Sequence, residues 1–183
     1  MLRNSSNAYG LVSRLFHWWL ALVIIGLFAL GVWMVTLGYY DSWYQKAPHW
    51  HVGIGIVFSL LLLLRVIWHR ISPKPKALGA PRDQLLAKLG HTTMYLLLWI
   101  IVVAGYFITT ADGSAVAVFD WFEIPALIKQ KGLEQTAGLV HQYLAYALMA
   151  FVVIHTLAAL KHHFKDKDQT MTRMWRGGVK SNR

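Results

Sequence analysis

Nine histidines and no cysteine set the ligand chemistry open to this 183-residue chain. Two of them, His141 and His155, stand in one apolar run from Gly138 to Leu160 that contains no charged residue. Fourteen residues at about 100° each fall roughly 40° short of four turns, so both imidazoles leave a helix on nearly the same face. They are roughly 21 Å apart along the axis, which sets one near each boundary of a hydrocarbon core about 30 Å thick. An ionisable group in a membrane is costly and normally faces the protein interior. Two imidazoles stacked at opposite depths therefore read as buried ligands for two separate centres.

Such a helix needs partners. The chain is 56% hydrophobic and only 14% charged, with a mean hydropathy of +0.42, which is the composition of a membrane protein. Apolar runs predict spans over about 11–37, 50–69, 86–110 and 136–164, followed by a basic tail over about 165–183. Four spans leave no room for a second soluble domain, so 1–183 reads as a single transmembrane domain. The fold class expected is all-α, an integral membrane four-helix bundle. The first run is too long for the apolar part of a signal peptide and lacks a small-residue cleavage site.

Charge sets the orientation. Of the 18 Lys and Arg, only Lys46, Lys129 and Lys131 fall on the side opposite the termini, which by the positive-inside rule makes both termini cytoplasmic. The same distribution argues that the net charge of +10 is not a nucleic-acid footprint. Tyr39, Tyr40, Trp43, Tyr44 and Trp50 fit an outer aromatic belt. The outer loop from Ala111 to about Gln135 holds Asp112, Asp120, Glu123 and Glu134, and its aromatic middle, VAVFDWF, suits the membrane surface.

Topology then limits which histidines can meet. Only His49, His51 and His141 lie at the outer side. An outer centre on His141 takes His51, which is inside the apolar run, in preference to His49 beyond it. An inner centre on His155 takes His17 or His91. Paired imidazoles with no cysteine and no carboxylate in the spans describe the axial ligands of b-type haem rather than a structural zinc site. Arg65, fourteen residues after His51, shares that face at the inner depth and needs an anion. A haem propionate would supply one, and snorkelling to the headgroups is the alternative. His162 follows His155 by seven residues, at the rim of the inner centre, and reads either as a quinone-site residue or as part of a solvated tail. His91 has three readings: support for a ligand, quinone site or packing. His49, His69 and His163 read as interfacial or solvated.

The segments SRLFHWWL, WHVGIGIVFSLLLLLR, KLGHTTMYLLL and LVH…VVIHTLAALKHHF together resemble the prokaryotic cytochrome b-561 family over about Tyr9 to Trp175. The resemblance implies a four-helix protein of the bacterial inner membrane, multi-pass, with two haem b groups. It pairs His17 with His155 on the cytoplasmic-side haem and His51 with His141 on the periplasmic-side haem. It implies a membrane oxidoreductase that takes electrons from periplasmic superoxide, or another one-electron donor, and reduces ubiquinone, with His162 associated with the quinone. The partners expected are membrane lipid, quinone and a small periplasmic donor. A homodimer is open to it, and no nucleic acid is expected. The alternative function is a haem-b membrane anchor subunit that passes electrons from a hydrogenase- or dehydrogenase-type partner to quinone. A non-haem metal carrier is the third class, disfavoured by the lack of intramembrane carboxylates.

Overall fold

The computed structural model describes residues 1–119 and 121–177. Asp120, one of the four outer-loop acids, and residues 178–183 of the expected tail lie outside them. Among the described residues four helices are long and apolar enough to cross a membrane: α1 (Leu11–Met34), α2 (Lys46–Ile71), α3 (Pro81–Thr110) and α4 (Leu133–Phe164). The all-α membrane fold class follows from these four. Many apolar side chains on the spans are exposed, among them Leu22, Leu60, Leu96 and Ile154. In a bilayer such residues face lipid while the helical backbone satisfies its own hydrogen bonds.

Helix ends follow local chemistry. α2 begins at Lys46 rather than near residue 50, because Pro48 lies in the first turn, where its missing N–H is no loss. α3 begins at Pro81 rather than near 86, with Asp83 in its first turn; proline is pre-set for the first helical position, and an acid there suits the positive end of the dipole. α1 stops at Met34, before the expected 37, where the Leu37 N–H turns back to the Met34 carbonyl at 3.3 Å.

Two features were not expected from the sequence. The VAVFDWF segment forms a β-hairpin, β1 (Val116–Val118) against β2 (Phe122–Ile124), antiparallel, with Val116 opposite Ile124 and Val118 opposite Phe122. The expected tail contains a short helix, α5 (Thr170–Arg176), closed by Gly177 in the left-handed conformation.

By packing, the chain forms two compact units. The first comprises Met1–Ala21, Leu61–Met94 and the described part of Ala150–Arg183. A polar layer holds it together. Buried Asn4 accepts from the Gly10 N–H and the Ser13 hydroxyl, both at 2.8 Å, and its amide donates to the Pro73 carbonyl. The Trp68 indole donates to Ser13 Oγ, the Trp18 indole to the Met174 carbonyl, and Arg173 to the Lys76 carbonyl. The N-terminal segment, the α2–α3 loop and α5 are thus tied into one surface.

The second unit comprises Leu22–Leu60 and Tyr95–Met149. Its loop between α3 and α4 is anchored by Tyr106, whose hydroxyl donates to the Pro125 carbonyl at 2.7 Å and accepts from the Leu127 N–H at 2.9 Å. At the hairpin tip, the Phe119 ring lies over Gly53 and between His49 and Trp50. A Cβ on Gly53 would come within 2.7 Å of that ring, so only glycine admits Phe119 there.

Candidate functional site

In the second unit the facing helices enclose a cavity of about 440 Å³, lined by residues that include Phe28, Gly31, His51, Gly105, His141 and Tyr146. That is within the roughly 300–1,000 Å³ of a small-molecule or cofactor site. His51 from α2 and His141 from α4 face each other with ring centroids 6.0 Å apart. The His141 Nδ1–H donates to the Ile101 carbonyl at 2.9 Å. That bond leaves the Nε2 lone pair available, which is the tautomer a metal requires. His51 Nδ1 is buried without a hydrogen-bond partner.

Two glycines, which sequence reasoning overlooked, give these rings room. A Cβ on Gly31 of α1 would lie 3.2 Å from His51 Cε1, and one on Gly105 of α3 would lie 3.1 Å from His141 Cε1. Each spot is tighter than ordinary carbon contact, about 3.5–4.0 Å. The signal that could have found them is glycine inside an apolar helix, which costs about 1 kcal/mol against alanine and usually has a packing reason.

In the first unit, His155 of α4 meets two rings: His17 of α1 at a centroid separation of 6.1 Å and His91 of α3 at 5.3 Å. Arg65 of α2 brings a guanidinium nitrogen to 3.3 Å from His17 Nδ1. All four helices therefore converge here as well. His17 and His155 are half-buried, and His91 is exposed.

The donor set can be compared with a metal bound between two imidazoles. Metal–nitrogen bonds of about 2.0–2.1 Å and about 1.1 Å from nitrogen to ring centre would separate centroids by at most about 6.2–6.4 Å. The His51–His141 and His17–His155 separations, 6.0 and 6.1 Å, agree with that. At 5.3 Å, His91 is too close to His155 to share a metal with it in line. Among the described residues no cluster of three His, Cys, Asp or Glu side chains is arranged to hold a metal ion. A pair of imidazoles suits an iron whose remaining ligands come from a porphyrin, so the residues present fit haem.

Further along α4, His162 Nδ1 stands 3.1 Å from Asp166 Oδ2 and 2.9 Å from Asp168 Oδ2. Burial alone would raise Asp168, but hydrogen bonds from the Thr170 backbone and side chain, with His162 beside it, hold its carboxyl below the usual carboxylate value. His163 lines a separate hollow of about 350 Å³ beside Trp175 and Arg176 of α5. His49 packs on Phe119, and His69 is exposed near the end of α2.

Comparison with known proteins agrees with this architecture. A family model described as prokaryotic cytochrome b561 matches residues 8–177. Cytochrome b561 homolog 2 of Escherichia coli strain K12 is 47% identical over 174 residues, covering 93% of each chain. A probable superoxide oxidase, CybB, of Yersinia pestis is 30% identical over 161 residues, covering 86% of this chain and 90% of its own. The chain belongs to the prokaryotic cytochrome b561 family, bacterial membrane proteins that bind haem b and transfer electrons.

Proposed function

We propose that this chain, working as a single transmembrane domain of the bacterial inner membrane, is a two-haem cytochrome that passes electrons from periplasmic superoxide to ubiquinone. The observation that carries this reading is the pair of facing imidazoles in each unit, at 6.0 and 6.1 Å. His51 and His141 would hold one iron, and His17 and His155 the other. Haem b, when bound, supplies reversible one-electron transfer at its iron, which suits a one-electron donor and a two-electron acceptor.

The remaining side chains bind and orient. The Ile101 carbonyl fixes the His141 ring through its Nδ1–H, and Gly31 and Gly105 leave both rings clear of the neighbouring helices. Arg65 would pair with a propionate. A ligating His17 Nε2 leaves Nδ1 protonated, so Nδ1 and the guanidinium become two donors facing each other, and the guanidinium turns to an anion instead. Phe119 and the hairpin pack on the α2 face that carries His49 and Gly53. Lys46, Lys129 and Lys131 would steer a small anionic donor to the outer face; that face follows from cytoplasmic termini, for which the distribution of 18 Lys and Arg argues. The relative named as a probable superoxide oxidase supports the choice of donor. His162 and His91 are the residues proposed for the quinone, His162 at the rim and His91 beside His155.

The test is a reduced-minus-oxidised spectrum and haem-to-protein ratio on the detergent-purified chain, then quinol formation from enzymatically generated superoxide. Two haems and superoxide-dependent quinol are expected. A single haem would overturn the two-centre reading, and two haems without superoxide-dependent quinol would overturn the donor. Quinol formation that required a co-purifying iron–sulfur protein would make the chain an anchor subunit instead.

A further inference from the structure

The segment that follows α4 folds back on one imidazole. The Lys165 and Asp166 N–H groups return to the Lys161 carbonyl, and the Asp168 N–H returns to the His162 carbonyl at 3.1 Å. Lys167, with φ of 52°, takes a left-handed conformation that a lysine rarely adopts. The turn brings Asp166 and Asp168 within 3.1 Å of His162 Nδ1, at ion-pair distance without an aligned hydrogen bond. Each acid is itself anchored: Asp166 Oδ2 accepts from Lys161 Nζ at 2.8 Å, and Asp168 Oδ1 accepts from the Thr170 N–H at 2.8 Å. The imidazole is one-fifth exposed, and Asp166 and Asp168 are 31% and 20% exposed, so the group reaches water without being fully solvated.

We infer that Asp166 and Asp168 are positioning residues that make His162 the proton donor in quinone reduction, with the two carboxylates as its route to water. The inference rests on the proposed quinone reading and deepens it. Reduction of a benzoquinone to its quinol consumes two electrons and two protons, and forms two O–H bonds. The electrons come from the one-electron donor through the cytochrome. One proton leaves His162 Nε2–H for the nearer quinone oxygen, and the ring regains it from water by way of the carboxylates; the far oxygen takes its proton from water. The charged groups around His162 are Asp166, Asp168, Lys161, Lys165 and Lys167 of its own segment. From α3, Asp83 acts on Lys161.

The test uses full-length holoprotein, pre-reduced and mixed in stopped flow with a short-tailed, water-soluble ubiquinone analogue, in parent, His162→Gln and Asp166→Asn/Asp168→Asn forms. Haem content and the reduced spectrum, measured first, report that each variant is folded. The aspartate pair is expected to slow quinone-dependent oxidation by about tenfold, less than the roughly 10²–10⁴-fold that the placed proton donor itself contributes. The analogue's half-saturation concentration stays near the parent's, so the loss falls on the turnover rate. Independently of turnover, carbon-13 titration of the Asp168 carboxyl in His162→Gln should move up from its lowered value. Parent protein that fails to oxidise with the analogue overturns the quinone reading and this inference with it. A slow His162→Gln beside an aspartate pair with the parent's rate overturns the inference alone.

Discussion

Gly105→Ala tests the cavity reasoning most directly. The new Cβ would stand 3.1 Å from His141 Cε1 and 3.2 Å from His141 Nδ1. Ordinary contact needs about 3.5–4.0 Å, so the ring must retreat by roughly 0.3–0.5 Å or tilt. Its Nδ1–H is tied to the Ile101 carbonyl at 2.9 Å, one residue position that the same helix controls, so the retreat strains that bond. Two effects then compete in the free protein. Alanine gains about 0.8–1 kcal/mol of helix propensity over glycine, and overpacking costs about 1–3 kcal/mol. Net stability falls by at most about 2 kcal/mol, which leaves the chain folded. Ligand orientation is more sensitive than fold: disturbing the group that orients a metal-bound histidine typically lowers affinity about 10–100-fold. The expected result is loss of the haem ligated by His141 on dilution into detergent, with the other haem retained, read from haem-to-protein ratio and reduced-minus-oxidised spectra. Gly26→Ala is the control, because a Cβ there meets nothing within 4 Å. It should keep both haems and gain thermal stability. If Gly105→Ala holds both haems with parent spectra and parent affinity, the clearance argument is wrong.

Other consequences follow from the paired imidazoles. His51→Ala or His141→Ala should remove one haem and His17→Ala or His155→Ala the other, whereas His91→Ala should keep both, since its ring is 5.3 Å from His155; haem content of the five variants decides this, and loss of haem in His91→Ala alone would reverse the assignment. Arg65→Gln should retain both haems and lower the midpoint potential of the one ligated by His17, because a cation near a haem favours its reduced, less positive state; an unmoved potential in redox titration would argue that Arg65 snorkels to the headgroups.

The spans were legible because membrane insertion reads a local, one-dimensional property: about 20 apolar residues in a row suffice. The helix face from which His51, His141, His155 and Arg65 project was legible because helix geometry turns spacing into direction. Less was legible at the ends and in loops. α2 and α3 start at Lys46 and Pro81 because proline tolerates the first turn, whereas hydropathy marks only where each run becomes apolar. The His162–Asp166 contact is also local, at i and i+4, and was hidden by reading the tail as solvated.

The rest depends on which surfaces meet. A glycine in an apolar helix does not disclose that a histidine from another helix lies 3.1 or 3.2 Å from its missing side chain, as at Gly105 and Gly31. Nor does a run of aromatics disclose that Phe119 will seat on Gly53 at the tip of a hairpin, or that α5 will hold Arg14 and Trp18 through its carbonyls. Nor does spacing along one helix disclose that both His17 and His91 will meet His155, at 6.1 and 5.3 Å. Hydropathy and periodicity determine how deep a side chain lies and which way it points; only packing between segments distant in the chain determines what stands opposite it.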